Sequence, residues 1–170
     1  MIPHPFVALA IKSIQYYLDH NAYLPCPENL PDDLKTKSGA FVSIKKNKSL
    51  RGCIGTILPV EDNLAREIVR NAVHAAVQDP RFPPVIRKEL PDLTFSVDVL
   101  SPLEKIHDAI ELDCKKYGLL LKTESKQGVL LPDIEGVETV QDQIRICRKK
   151  AGLAEDEPAE MFRFQVKRYR

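Results

Sequence analysis

Tryptophan is absent from this 170-residue chain, glycine occurs only seven times, and the eleven tyrosines and phenylalanines are thinly spread. Proteins that grip single-stranded nucleic acid combine stacking aromatics with a basic groove, and neither stands out here. The formal net charge is +1, with 10 basic and 8 acidic side chains in residues 1–85 and 15 and 16 in residues 86–170. Neither half therefore reads as a nucleic-acid surface or an acidic tail. No apolar run approaches the ~20 residues needed to cross a bilayer, so no membrane span is expected. No basic segment followed by an apolar one opens the sequence, so no signal peptide is expected either.

Cysteine pairs at metal-binding spacing are also missing. Cys26, Cys53, Cys114 and Cys147 lie far apart with no C-x-x-C among them, which excludes the sequence-local zinc signatures. A metal site would need long-range assembly of His, Cys or carboxylate groups, and no cofactor is assigned. Free thiols in a cytoplasmic protein are the expectation, with a pairing of distant cysteines left open.

What is abundant is proline, thirteen against the seven glycines. Prolines divide the chain and stiffen its loops. Apolar spacing predicts a helix over residues 6–18, with Pro5 in its first turn. A proline-rich connection from Asn21 to Ser38 follows, too irregular for an element. Ala40–Ile44 and Leu50–Leu58 read as a hairpin whose tip carries the solvated lysines Lys45, Lys46 and Lys48. Asp62 or Asn63 caps a helix running to about Gln78. The stiff loop Asp79-Pro80-Arg81-Phe82-Pro83-Pro84 comes next, then a short helix over 85–90 that Pro91 stops. Leu93–Leu100 alternates as a half-buried strand, and residues 108–114 read as a helical turn. A second hairpin spans 118–131, Thr139 caps a helix that Gly152 ends, and 161–167 alternates as a closing strand. Hairpin-paired strands mixed with helices, without regular strand–helix alternation, indicate an α+β fold: a mainly antiparallel sheet flanked by helices.

The chemistry gathers at Leu50-Arg51-Gly52-Cys53-Ile54-Gly55. In an extended strand Arg51 and Cys53 would share a face, and glycines in a strand mark a bulge or the close approach of a ligand or a backbone. A neighbouring guanidinium favours the thiolate, the working nucleophile of a cysteine enzyme. Arg51 and Arg81 could equally clamp a carboxylate or phosphate, with Gly52 and Gly55 giving access to it. His74, just before the stiff loop, is the weak candidate for a base. The bland readings are a small packed thiol for Cys53, a half-buried helix residue for His74, and a pairing with Asp79 or a helix C-terminus for Arg81. Cys26, Cys114 and Cys147 read as structural.

Several stretches together resemble the AMMECR1 domain family: Gly39-Ala40-Phe41-Val42 leading into Leu50–Gly55, then Asp79–Pro84, Val99-Leu100-Ser101-Pro102, Gly128-Val129-Leu130-Leu131-Pro132 and Lys150-Ala151-Gly152-Leu153. The resemblance covers nearly all of the chain, as a single domain. It implies a larger and a smaller lobe, with the Leu50–Gly55 strand near a cleft between them. It also implies a pathway shared with Memo-like and radical SAM proteins. The segment Asp133-Ile134-Glu135-Gly136 departs from the family pattern. Two functions follow as expectations. One is a cysteine-dependent enzyme acting on a small anionic or peptide-like substrate in the interlobe cleft. The other is a non-catalytic binding module that works with Memo-like and radical SAM partners. No nucleic-acid or membrane partner is expected.

Overall fold

The computed structural model describes residues 2–170. The chain divides into two compact units, one running up to Leu100 and including Lys167–Arg170, the other Ser101–Val166. The fold is α+β, with two sheets flanked by helices.

In the first unit, helix α1 (Pro5–His20) begins with Pro5, whose missing N–H costs nothing in a first turn. It ends at Asn21, which takes the left-handed conformation at φ 52°. The proline-rich stretch that follows contains one turn of helix, α2 (Asp32–Lys35). Strands β1 (Ala40–Lys46) and β2 (Ser49–Thr56) form the expected hairpin. Its tip residues Asn47 and Lys48 both have positive φ, 50° and 68°, matching the twist of a two-residue turn. Helix α3 (Leu64–Val77) is capped by Asn63, whose side chain accepts the Arg66 N–H. Its buried Glu67 accepts the N–H groups of Val60 and Glu61 and the Thr56 hydroxyl, tying the end of β2 to the helix.

The short helix expected over 85–90 is a 3-10 turn at Arg87–Asp92, and Pro91 lies inside it instead of stopping it. The bond that closes the turn runs from the Leu93 N–H to the Leu90 carbonyl, so the N–H that proline lacks is not required. Strand β3 (Leu93–Leu100) pairs antiparallel with β1, and the first sheet has the order β2-β1-β3-β8, where β8 is Val166–Tyr169. Ala40, Val42, Ile44 and Val97 on one sheet face join Ala10 and Ile14 of α1 and Ile68, Ala72 and Ala75 of α3 in one core. By alternation, Phe41, Ser43 and Lys45 look out from the opposite face. Asp98 is on that side too, yet it is buried, because Arg168 grips it through two 2.7 Å bonds.

The second unit is a sheet of order β4-β7-β5-β6, built from β4 (Glu104–Ile106), β5 (Gly118–Lys122), β6 (Gln127–Leu130) and β7 (Glu160–Phe164). The β4–β7, β7–β5 and β5–β6 pairings are antiparallel. Helix α4 (Val140–Ala151) is capped by Thr139 and closed by Gly152 at φ 66°, as the sequence indicates. Its core holds Leu119, Leu121, Leu130 and Cys147. Burial pushes the Cys147 thiol up to about 12, which makes it an inert packing group. The ambiguous 108–114 stretch contains a 3-10 turn, Ala109–Glu111. The closing strand read over 161–167 is really two strands in different sheets, β7 and β8. Gln165 separates them, its N–H bonded to the Ser101 hydroxyl and its carbonyl to the Ser101 N–H instead of to a sheet ladder. Among the described residues, no helix is long and apolar enough to cross a membrane.

Candidate functional site

Strand β2 is an edge strand, so half of its backbone groups lack a neighbour strand. In an antiparallel pair a residue whose N–H and C=O point outward belongs to a non-hydrogen-bonded pair, where side chains come closest. Cys53 is such a residue. It sits opposite Ser43, and the Ser43 hydroxyl donates to Cys53 Sγ at 3.2 Å.

The outward backbone groups of Cys53 are taken by the stiff loop. Asp79 Oδ2 accepts the Cys53 N–H at 2.9 Å, and Arg81 Nη2 donates to the Cys53 carbonyl at 3.0 Å. Arg81 also grips Asp79 through Nε at 2.9 Å and Nη2 at 2.7 Å, and its own N–H reaches Asp79 Oδ1 at 3.1 Å. The buried Asp79 carboxylate thus has four donors around it. The Arg81 guanidinium and the two backbone N–H groups outweigh the cost of burial, holding Asp79 well below the usual carboxylate range. A carboxylate and a guanidinium here replace the missing neighbour strand.

Arg51 ties the far end of the same loop. It donates to both oxygens of Glu89, at 3.2 and 3.0 Å, and to the carbonyls of Pro83 and Pro84 at 2.9 and 3.4 Å. Glu89 also takes Lys46 and the Ile86 N–H, and these bonds, led by Arg51, lower its pKa. The two sequence motifs are therefore halves of one lock: Asp79 and Arg81 close on the Cys53 backbone, and Arg51 closes on the prolines.

The expectation that Arg51 and Cys53 share a face fails. The β1–β2 register shifts between Ile44 and Lys45, so Gly52 faces Ile44 while Leu50 faces Lys45, leaving Arg51 as the extra residue of a bulge. Arg51 meets Lys46 at Glu89, whereas Cys53 meets Ser43, and Lys46 and Ser43 lie on opposite faces of β1. Nor are Arg51 and Arg81 clamps with idle guanidinium groups, since each grips a carboxylate.

Gly52 and Gly55 answer to packing. A Cβ on Gly52 would lie 2.2 Å from the Ala75 carbonyl oxygen of α3, and one on Gly55 would lie 2.2 Å from the Phe41 ring. His74 is not brought to the thiol. It lies on α3, the side of the sheet that Gly52 faces, with Nε2 sharing a 2.9 Å hydrogen bond with Tyr23 Oη. Burial first, then Arg70, lowers its pKa.

On the Cys53 side, a shallow pocket of about 340 Å³ lies beside Ser43. Ser43, Thr94 and Ser96 bring hydroxyls to it, and Lys45 and Arg170 bring positive charge, while Arg168 lines it with its guanidinium held by Asp98. Ser43 and Ser96 are direct cross-strand partners, as are Lys45 and Thr94, so Cys53, Ser43 and Ser96 form a row across three strands. Asp79, Glu89, Ser43 and Ser96 were not singled out from sequence as site residues. Asp79 is legible only as a partner of Arg81, and nothing local marks Glu89 or the serines.

Comparison with known proteins matches the AMMECR1 family model to residues 7–169. A Thermotoga maritima protein is 50% identical over 170 residues, covering 98% of both chains. A Clostridium acetobutylicum protein, CA_C1420, is 45% identical over 168 residues, covering 98% of this chain but only 36% of its own length. Among solved structures, the crystal structure of the uncharacterized protein PH0010 from Pyrococcus horikoshii superposes with a TM-score of 0.87 at 30% identity, covering 96% of this chain and 88% of the other.

Proposed function

The chain belongs to the AMMECR1 family, and on that premise we propose that it is a binding module whose ligand presents a small anionic group, a carboxylate or phosphate. The ligand rests on the face of the first sheet opposite α1 and α3, with Cys53 as a contact residue at the side of the pocket. The observation that carries this reading is the row Cys53–Ser43–Ser96 beside a pocket that gathers three hydroxyls and the cations Lys45 and Arg170, Arg168 being engaged by Asp98. Hydroxyl donors and cations together suit an anion. The group set against the thiol is the Ser43 hydroxyl, not an imidazole, and both candidate arginines are spent on the lock. A frame tied this way supports a preformed surface, which lowers the ordering cost of binding.

The finer proposal concerns partners. In the Clostridium acetobutylicum relative, the matched region is about a third of a longer chain, so a domain of this type works there beside other sequence. Memo-like and radical SAM proteins are the partners to test by pull-down.

The surface itself is tested with two alkylating reagents of similar size, anionic iodoacetate and neutral iodoacetamide, with mass spectrometry reading modification at Cys53. The binding reading expects iodoacetate to be favoured over iodoacetamide relative to free cysteine, inorganic phosphate to slow it, and Lys45→Glu to remove the preference. A ratio equal to that of free cysteine, indifferent to phosphate and to Lys45→Glu, would overturn it.

A further inference from the structure

The stripe Arg66, Arg70 and His74 recurs every four residues along α3, so the three side chains lie on one helix face. That face meets the segment Tyr23-Leu24-Pro25-Cys26, and the two enclose a pocket of about 410 Å³ that also includes Glu61 and Val69. This volume is in the range of small-molecule sites, and none of its lining residues belongs to the Cys53 face.

The pocket has two chemical halves. Tyr23, Leu24, Pro25 and Val69 provide apolar and aromatic surface, and Pro25 and Pro27 stiffen the segment. Tyr23 is fixed from behind by the shared hydrogen bond to His74, with the two rings edge-on at 6.2 Å. The other half is cationic. Arg66 is exposed, and among the described residues its guanidinium has no hydrogen-bond or ion-pair partner. Arg70 meets Glu61 at a loose 3.8 Å and no other carboxylate among the described residues. Two guanidinium groups against one carboxylate leave an excess positive charge. Burial and Arg70 both disfavour the charged form of His74 beside them.

We propose that this pocket is a second ligand site, taking a small molecule with a flat apolar body and a single anionic head group. The body lies against Tyr23 and Leu24, and the head meets Arg66 and Arg70. The head can be a carboxylate or a phosphate, because both accept two parallel guanidinium bonds.

The test titrates benzoate and phenyl phosphate into the full-length protein, with acetate and inorganic phosphate as head-group-only controls, following backbone amide shifts by NMR. Saturable shifts at residues 23–26 and 66–70 are expected from at least one aromatic probe, at least tenfold tighter than from the matching control. Whichever of the two binds identifies the head group. Arg66→Glu, a surface change, should weaken binding at least tenfold, Arg70→Gln should weaken it severalfold, and Lys45→Glu on the other face should leave it unchanged. The proposal is overturned by absence of saturation at those residues, by controls binding as tightly as the aromatic probes, or by Arg66→Glu and Arg70→Gln both binding like wild type. Because Lys45→Glu and Arg66→Glu act on separate pockets, failure here is distinguishable from failure of the Cys53-face reading.

Discussion

Asp79 Oδ2 accepts the backbone N–H of Cys53 at 2.9 Å, so the residue that draws attention in this sequence is tied to the stiff loop by its main chain, not by its thiol. Asp79 and Arg81 together occupy both free hydrogen-bonding groups of an edge-strand residue. The side chain is left facing Ser43. A motif that looks like a nucleophile with its activating arginine is, at backbone level, a device for closing a sheet edge.

Removing Asp79 should therefore destabilise the first unit. Asp79→Ala leaves the Cys53 N–H without its acceptor and Arg81 without its carboxylate. The expected loss is about 2–4 kcal/mol, from the cost of a buried unpaired donor together with a broken ion pair whose arginine is half-exposed. Denaturant unfolding measures it, and amide exchange should quicken at Cys53 first.

The same pair sets an acid dependence. The Asp79 pKa is depressed in the folded state, so the unfolded chain binds the proton more readily and stability rises with pH through the acid range. The contribution is complete above the unfolded value of ~3.9 and is lost as pH falls below it. The stability gap between wild type and Asp79→Asn should accordingly narrow from pH 5 towards pH 2.

Gly52→Ala should cost more than an ordinary strand substitution. Its Cβ would meet the Ala75 carbonyl oxygen at 2.2 Å, and a backbone atom cannot swing aside. Overpacking of this kind costs about 1–3 kcal/mol or more, which a fall in the unfolding midpoint would report. Gly55→Ala meets a side chain, the Phe41 ring, and should cost less.

His74 should titrate below its ordinary value in an NMR pH series, because burial and then Arg70 disfavour the imidazolium. Arg70→Gln should raise its pKa only in part, since burial remains. A normal value in wild type would show that α3 and the Tyr23 segment do not pack as described.

Legibility followed the range of the interactions involved. The Thr139 and Gly152 caps, the hairpins and the start of α3 at Asn63 depend on residues within a few positions, and the sequence displays them. The split between β7 and β8 did not show, because it turns on Gln165 bonding to Ser101, 64 residues away. The misplaced face of Arg51 has a similar cause: a one-residue bulge reverses alternation, and although the glycines of Leu50–Gly55 allow a bulge, its position is set by pairing with β1. Asp79 and Arg81 were readable as a pair, but their acceptor and donor on Cys53 belong to another strand. The Tyr23–Arg66–Arg70 pocket joins an irregular loop to a helix about 40 residues further on.

The central claim is that the Cys53 face holds an anion by hydroxyls and cations, with the thiol as a contact and not as a reagent. The most direct measurement is a titration of inorganic phosphate into wild type, Cys53→Ser and Lys45→Glu, following amide shifts at Ser43, Lys45, Thr94 and Ser96. The account predicts saturable shifts in wild type, affinity within about threefold in Cys53→Ser, and a loss of at least tenfold in Lys45→Glu. Absence of saturation at those residues, or binding that disappears in Cys53→Ser while surviving in Lys45→Glu, would contradict it.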